Sequence, residues 1–243
     1  MIRTITAALL AVGLTTGAHA ATVAGSSSGG FTFEDAQGSG PWYNQTSGAE
    51  ISADGKTLTW PGDTCTIFVG CGASTPQSTL TINDVAFSQA TTSGNNEVTV
   101  GSLTWHNASS DSSITDDLFS AMADITLSFT SPSAAGGTET LSFSINNTLN
   151  PTGDLIMASP TGALDFGLAV PFDLGSGLTL VSFFAEEVGP GSLSNGTWSL
   201  NEGLTSTVLI KANIAAIPLP AGGLLLLTGL GGLAALRRRK QAA

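Results

Sequence analysis

The sequence predicts an all-β protein: an antiparallel β-sandwich of jelly-roll-like build, with an N-terminal signal peptide and a C-terminal single transmembrane helix. Three observations predict it. Apolar and small polar residues alternate with period two through the body, turn clusters recur about every ten residues, and an apolar run stands near each end. Charge narrows the function. Of 243 residues only 10% are charged, and the formal net charge is -11. Between Ala21 and Ala216 the only bases, apart from His106, are Lys56 and Lys211, against all 18 acids of the chain. Nucleic acid is excluded as a partner, because its phosphates require a cationic face that two lysines cannot build.

At the N-terminus, Arg3 supplies a positive charge and Ile5 to Leu14 is apolar apart from Thr6 and Gly13. Ala18 and Ala20 then place small residues before a cleavage point, so the chain is expected to be cut between Ala20 and Ala21. An uncleaved anchor is the competing expectation, and the run is short for a span. Residues 21–30 are rich in Ser and Gly and read as a linker, which gives the sandwich residues 31–214.

Within the body, Glu97–Val100, Ile125–Phe129 and Leu141–Ile145 alternate strictly, and 177–184 and 205–213 read as further strands. Turn clusters fall at Asp54-Gly55, Ser93–Asn96, Pro132–Gly137, Asn150–Asp154 and Gly189–Gly196. Asp116 to Met122, opened by acids, is the one helical expectation. No internal repeat is evident, which argues against a propeller or solenoid.

The C-terminal end is more specific. Ile214 to Leu236 carries no charge, and Arg237, Arg238, Arg239 and Lys240 follow at once as a stop-transfer cluster. As a helix, the sixteen residues from Ala221 to Leu236 would reach about 24 Å, short of a hydrocarbon core of roughly 30 Å. Their five glycines weaken it further, at about 1 kcal/mol each relative to Ala. A weak, short span suits temporary retention; a permanent anchor is the alternative. The order Ile217-Pro218-Leu219-Pro220-Ala221, Gly/Leu helix, Arg cluster resembles the VPLPA type of PEP-CTERM sorting signal, with Ile217 where that pattern has Val. The resemblance covers about 26 residues. It implies export from a Gram-negative, exopolysaccharide-producing host, and cutting near Pro220-Ala221 by an exosortase, a membrane-embedded protease. The protein would then pass through the inner membrane, body periplasmic, to the cell surface or matrix.

A second resemblance lies in the body, over residues 31–130. Leu58-Thr59-Trp60, Pro76–Leu80 and Val100–Asn107 are similar to the pattern of choice-of-anchor K domains and of the THxN group. Here Thr104-Trp105-His106-Asn107 stands in place of Thr-His-x-Asn. Both groups are β-rich extracellular domains, and the resemblance implies no catalytic chemistry.

Candidate chemistry is sparse. Cys65 and Cys71 are the only cysteines, and in an oxidising compartment they are expected to close a short loop as a disulfide. After signal cleavage His106 is the sole histidine, expected at a sheet edge or beside a loop, which removes His-rich metal sites. Glu186-Glu187 and Asp116-Asp117 are adjacent pairs that a strand would send to opposite faces, unlike the facing acids a glycosidase needs. Oxygen ligands for calcium occur at Asp111–Asp117 and Asn83-Asp84, without an EF-hand pattern. Gly25–Gly29 matches G-x-S-x-G outside the strand–elbow–helix context that gives that motif meaning. Trp42, Tyr43 and Trp198 adjoin Gly-rich turns, where sugar-binding sandwiches often present rings. Burial in the core is the default expectation for aromatic rings, with Trp42 or Tyr43 as the candidate sugar-binding platform, while Trp60 and Trp105 alternate with Leu58 and Leu103 as core. No cofactor, metal or catalytic residue is expected. The function expected is structural or adhesive, in an exopolysaccharide matrix; the alternatives are a carbohydrate-binding module and, behind it, a glycoside hydrolase.

Overall fold

The computed structural model describes residues 21–32, 49–61, 77–108, 117–147, 153–159 and 164–216. These form an all-β body with no helix, in two antiparallel sheets, one of them curled into a half-barrel. The strands in chain order are β1 (Thr22–Thr32), β2 (Glu50–Ile51), β3 (Thr57–Pro61), β4 (Gln77–Asn83) and β5 (Val85–Ala90). They continue with β6 (Gly94–Asn107), β7 (Asp117–Ser131), β8 (Ala135–Asn147), β9 (Asp154–Ser159) and β10 (Phe172–Gly175). The last four are β11 (Leu178–Val188), β12 (Ser192–Ser194), β13 (Thr197–Leu200) and β14 (Leu204–Ala216). One seven-stranded sheet runs β12-β13-β9-β8-β7-β1-β5, the other β10-β11-β14-β6-β4-β3-β2. No described helix is long and apolar enough to cross a membrane.

Alternation explains the faces. Along β14 the pattern places Ser206, Val208, Ile210, Ala212 and Ile214 inward, and β4 does the same with Ser78, Leu80 and Ile82. The core between the sheets holds Trp60, Trp105, Phe129, Ile145, Ile156 and Leu180, each at most 2% exposed. Burying each such side chain contributes about 1.5–3 kcal/mol relative to leaving it in water.

Two expectations are corrected here. Residues 22–30 are not a linker but most of β1, an interior strand between β5 and β7. Its inward positions are Val23, Gly25, Ser27, Gly29 and Phe31, so small residues stand where apolar ones would have announced a strand. They are small because backbones approach closely: a methyl on Gly25 would lie 2.2 Å from the Ser128 carbonyl oxygen. Of the expected helix Asp116 to Met122, the described residues from Asp117 onward are strand: β7 begins at Asp117 and its inward row continues from Ala121 and Ala123 into Ile125, Leu127 and Phe129. The C-terminal strand also extends two residues beyond 214, to Ala216.

The chain runs as one continuous ribbon through β4 and β5, passing from one sheet to the other at Asp84. This crossing gives the sandwich two distinct poles. At one, the first described residue Ala21 and the last, Ala216, emerge together, joined by the short β5–β6, β7–β8 and β10–β11 turns. At the far pole lie the end of β1, the β3 and β4 ends at Pro61 and Gln77, the end of β6, the start of β7 and the end of β8.

Candidate functional site

β6 organises both poles, because it carries a buried asparagine near each end. At the terminal pole, Asn96 is 7% exposed. Its Oδ1 accepts from the backbone N–H of Thr92 (2.8 Å) and the Thr92 hydroxyl (3.2 Å). Its Nδ2 donates to the carbonyls of Thr92 (2.9 Å), Gly94 (3.1 Å) and Ile214 (3.4 Å). Next to it, Thr91 donates both its N–H and its hydroxyl to the Ala21 carbonyl, each at 2.8 Å. One polar clasp therefore ties the start of β1 and the end of β14 to the same turn. Buried polar atoms are costly unless paired, so a clasp this fully bonded fixes where both chain ends leave the fold.

At the far pole Asn107 is wholly buried. Its Nδ2 donates to the Leu200 carbonyl (2.8 Å), its Oδ1 accepts from the Ser78 hydroxyl (3.3 Å), and its backbone carbonyl accepts from the N–H of Gly203 (2.7 Å). The Ser78 hydroxyl in turn accepts from the Ala108 N–H (3.0 Å). The Thr104–Asn107 motif thus divides by face. Trp105 and Asn107 point inward as structure, while Thr104 meets Thr207 (3.3 Å) and His106 Nδ1 meets the Thr205 hydroxyl (3.0 Å) on the outside.

Between the sheets, in the half nearer β12 and β13, lies a cavity of about 420 Å³. Leu103, Leu141, Phe143, Ile156, Phe183 and Trp198 line it, with Asn195 and Gly196 of the β12–β13 hairpin. Its lining includes no titratable side chain, so it offers volume and apolar surface without acid–base chemistry. Trp198, despite its Gly-rich surroundings, is a core ring, the default expectation for an aromatic side chain. It is 4% exposed and meets Trp105 edge-to-face at 5.3 Å, and neither indole Nε1 has a hydrogen-bond partner.

The outer faces carry the charges. Lys211 sits on β14 between Glu97 of β6, at 3.5 Å, and Glu186 of β11, both of which it pairs. The Glu186 hydrogen bond, ahead of any burial effect, raises the Lys211 pKa above its ordinary value. Lys56 pairs with Asp84. In the turn before it, the Ser52 hydroxyl (2.5 Å) and the Lys56 N–H (3.1 Å) bond Asp54 and hold its carboxyl below the ordinary value. Both lysines of the body are therefore already matched by acids.

The expected sites divide accordingly. Glu186 and Glu187 do point apart: Glu187 accepts from the Ser206 hydroxyl (2.5 Å) and the Gly191 N–H (3.1 Å) while Glu186 takes Lys211. His106 lies near the end of β6 as expected, but on an interior strand flanked by β4 and β14 rather than at a sheet edge. Asn83 is engaged with Ser102 and Thr104, and no group of acids, His or Cys suited to a metal occurs among the described residues. Cys65, Cys71, Trp42, Tyr43, Asp111 and Asp116 lie outside the described residues, as do Ala20, the motif Ile217–Ala221 and the Arg237–Lys240 cluster. The two asparagine clasps had no signal in the sequence beyond the resemblance that included Asn107; an isolated Asn in a strand reads as polar surface. No protein-family model matches the chain, and a search of curated proteins finds no match.

Proposed function

We propose that this is an exported, surface-sorted, non-catalytic β-sandwich with a structural or adhesive role in an extracellular, exopolysaccharide-rich matrix. The observation that carries the reading is the terminal pole. The expected cleavage point abuts Ala21 and the sorting motif begins one residue after Ala216, and both ends leave the sandwich through one clasp. A precursor held at both ends in one inner membrane needs this arrangement, because opposite poles would force a terminal segment around the body. The signal peptide, the transmembrane helix and removal of the tail by an exosortase-type protease belong to this proposal, as does the surface destination. So does the Cys65–Cys71 disulfide in an oxidising compartment.

Mass spectrometry of protein extracted from the cell surface tests it. The expected mature chain starts at Ala21 and lacks peptides from Leu224 to Arg237. Recovery of Met1, or of those tail peptides, would contradict it. Replacing Pro218 and Pro220 by Ala is expected to trap the full-length form in the inner membrane, because the prolines keep the motif extended for a protease.

A further inference from the structure

We propose that the terminal pole is the surface on which the sandwich rests against the bilayer, its occupant being the lipid headgroup layer of the membrane that holds the chain's own 221–236 segment. This rests on the reading of that segment as a membrane span.

Chain length is the first argument. β14 stays paired through Ala216, to Leu178 on one side and Gly94 on the other. Only four residues, Ile217 to Pro220, separate Ala216 from the apolar run at Ala221. Five Cα steps reach at most about 18 Å even when fully extended. Headgroups occupy about 5–8 Å of that on each side of the hydrocarbon. Ala216 is therefore held within about 10–13 Å of the membrane surface, close to one Debye length at 0.1 M salt, roughly 10 Å. Because β14 is the third of seven strands in its sheet, the body straddles this tether rather than hanging from a corner.

Charge is the second argument. A body with two lysines and 18 acids is repelled by an anionic leaflet at such distances. The terminal pole is the face that avoids this. Its turns, Thr91-Thr92-Ser93, Pro132-Ser133-Ala134 and Ser176-Gly177, carry no charged side chain. Two acids lie at this end: Glu97, which is paired with Lys211, and the exposed Asp173, whose carboxylate accepts from the Gly175 N–H of the β10–β11 turn. Toward the far pole the described residues bring Glu187, near the end of β11, and Glu202, between β13 and β14, with no lysine or arginine beside them. The charge distribution turns one end toward the membrane and the other away.

The test places the full chain in nanodiscs of phosphatidylethanolamine and phosphatidylglycerol containing a small fraction of gadolinium-chelating lipid, and reads paramagnetic broadening by NMR. The expected result is loss of the amide signals of Thr92–Asn95, Ser133–Ala135 and Ser176–Leu178, with Asn201–Leu204 spared. Equal broadening at both poles, or broadening of Asn201–Leu204 alone, would overturn the inference while leaving membrane insertion intact. Failure of the chain to float with the lipid would instead overturn the reading beneath it. The variant Ser93→Glu with Ala134→Glu, both exposed positions, is expected to weaken the broadening at low salt and recover it at high salt. Salt-independent broadening identical to that of the unaltered chain would show that charge plays no part in the orientation and would overturn that half of the argument.

Discussion

The two poles of this sandwich are built on opposite plans. The terminal pole has short turns, a single exposed acid beside its tip at Asp173, and a clasp around Asn96 that is only 7% exposed but reaches solvent. At the far pole the clasp around Asn107 is sealed. The same residue type does related work in both places. Each asparagine satisfies backbone groups left over where strands stop pairing, and each joins segments distant in sequence. The difference lies in what each end must permit. One must let both chain termini out at fixed points. The other must close the core around Trp105 and Trp198.

The largest effect is expected in the half of the core nearest the far pole. Trp198→Ala removes the ring that packs on Trp105 and enlarges a cavity already of about 420 Å³. A loss of about 3–5 kcal/mol is expected, read by denaturant unfolding. A loss under about 1 kcal/mol would mean that the sheets collapse together there, and that the cavity is slack rather than supported.

The asparagines test the comparison directly. Asn107→Ala leaves the Leu200 carbonyl without its donor in a site with no exposure. Asn96→Ala frees several groups, but at an end where water can replace the lost side chain. Orphaned buried groups cost about 1–3 kcal/mol each, so Asn107→Ala should be the more damaging, with Asn96→Ala near the lower figure. Hydrogen exchange sharpens the contrast. Asn96→Ala should accelerate exchange at Thr91 and Thr92 without touching Gly203. The reverse pattern would mean that the poles are not independent.

How much of this was legible in the sequence depends on what each residue advertises. β7, β8, β11 and β14 were readable because Ile125–Phe129, Leu141–Ile145, 177–184 and 205–213 alternate with large apolar side chains. β1 was invisible for a physical reason. Where two backbones nearly touch, the inward residues must be Gly or Ser, and such a strand has the composition of a linker. The start of β7 failed similarly: Ala121 and Ala123 are wholly buried, yet alanine signals no period, and neighbouring acids imitate a helix start. Trp105 was correctly placed by its alternation with Leu103. Trp198 follows the default for aromatic rings, burial, although the turn at Asn195-Gly196 says nothing about which face the next strand turns inward. Of the two clasps, nothing in local sequence marks Asn96, since its function depends on Ile214, distant along the chain.

Gly25→Ala separates linker from strand. In a mobile segment it would be neutral or slightly stabilising. Within β1 the added carbon meets the Ser128 oxygen at 2.2 Å and Phe87 at 2.6 Å, so the strands must part. Overpacking of this kind costs about 1–3 kcal/mol, and thermal unfolding measures it. A neutral result would detach β1 from the sheet, and with it the position of Ala21 at the terminal pole.

The smallest effect is expected on the outer face, at Lys211. Its pKa is raised chiefly by the hydrogen bond to Glu186, then by Glu97. The sign follows from linkage. A lysine whose folded pKa exceeds its unfolded one contributes stability at pH below the unfolded value, and loses it as pH climbs through the folded value. Stability should therefore decline on the alkaline side, beyond the ordinary lysine value of about 10.4, and the decline should flatten in Lys211→Met. Asp54, with its pKa lowered by Ser52 and the Lys56 N–H, works on the other limb. Its contribution is present above the ordinary carboxylate value and is lost as pH falls through the lowered one. Both groups face water, and exposed pairs are screened by salt. The alkaline decline should therefore shrink as ionic strength rises, whereas the losses from Asn107→Ala and Asn96→Ala should barely change. If Lys211→Met instead destabilised the protein more than Asn96→Ala at neutral pH, the surface latch across β6, β14 and β11 would outrank the clasp. The terminal pole would then owe its rigidity to the sheet face rather than to the turn that binds both chain ends.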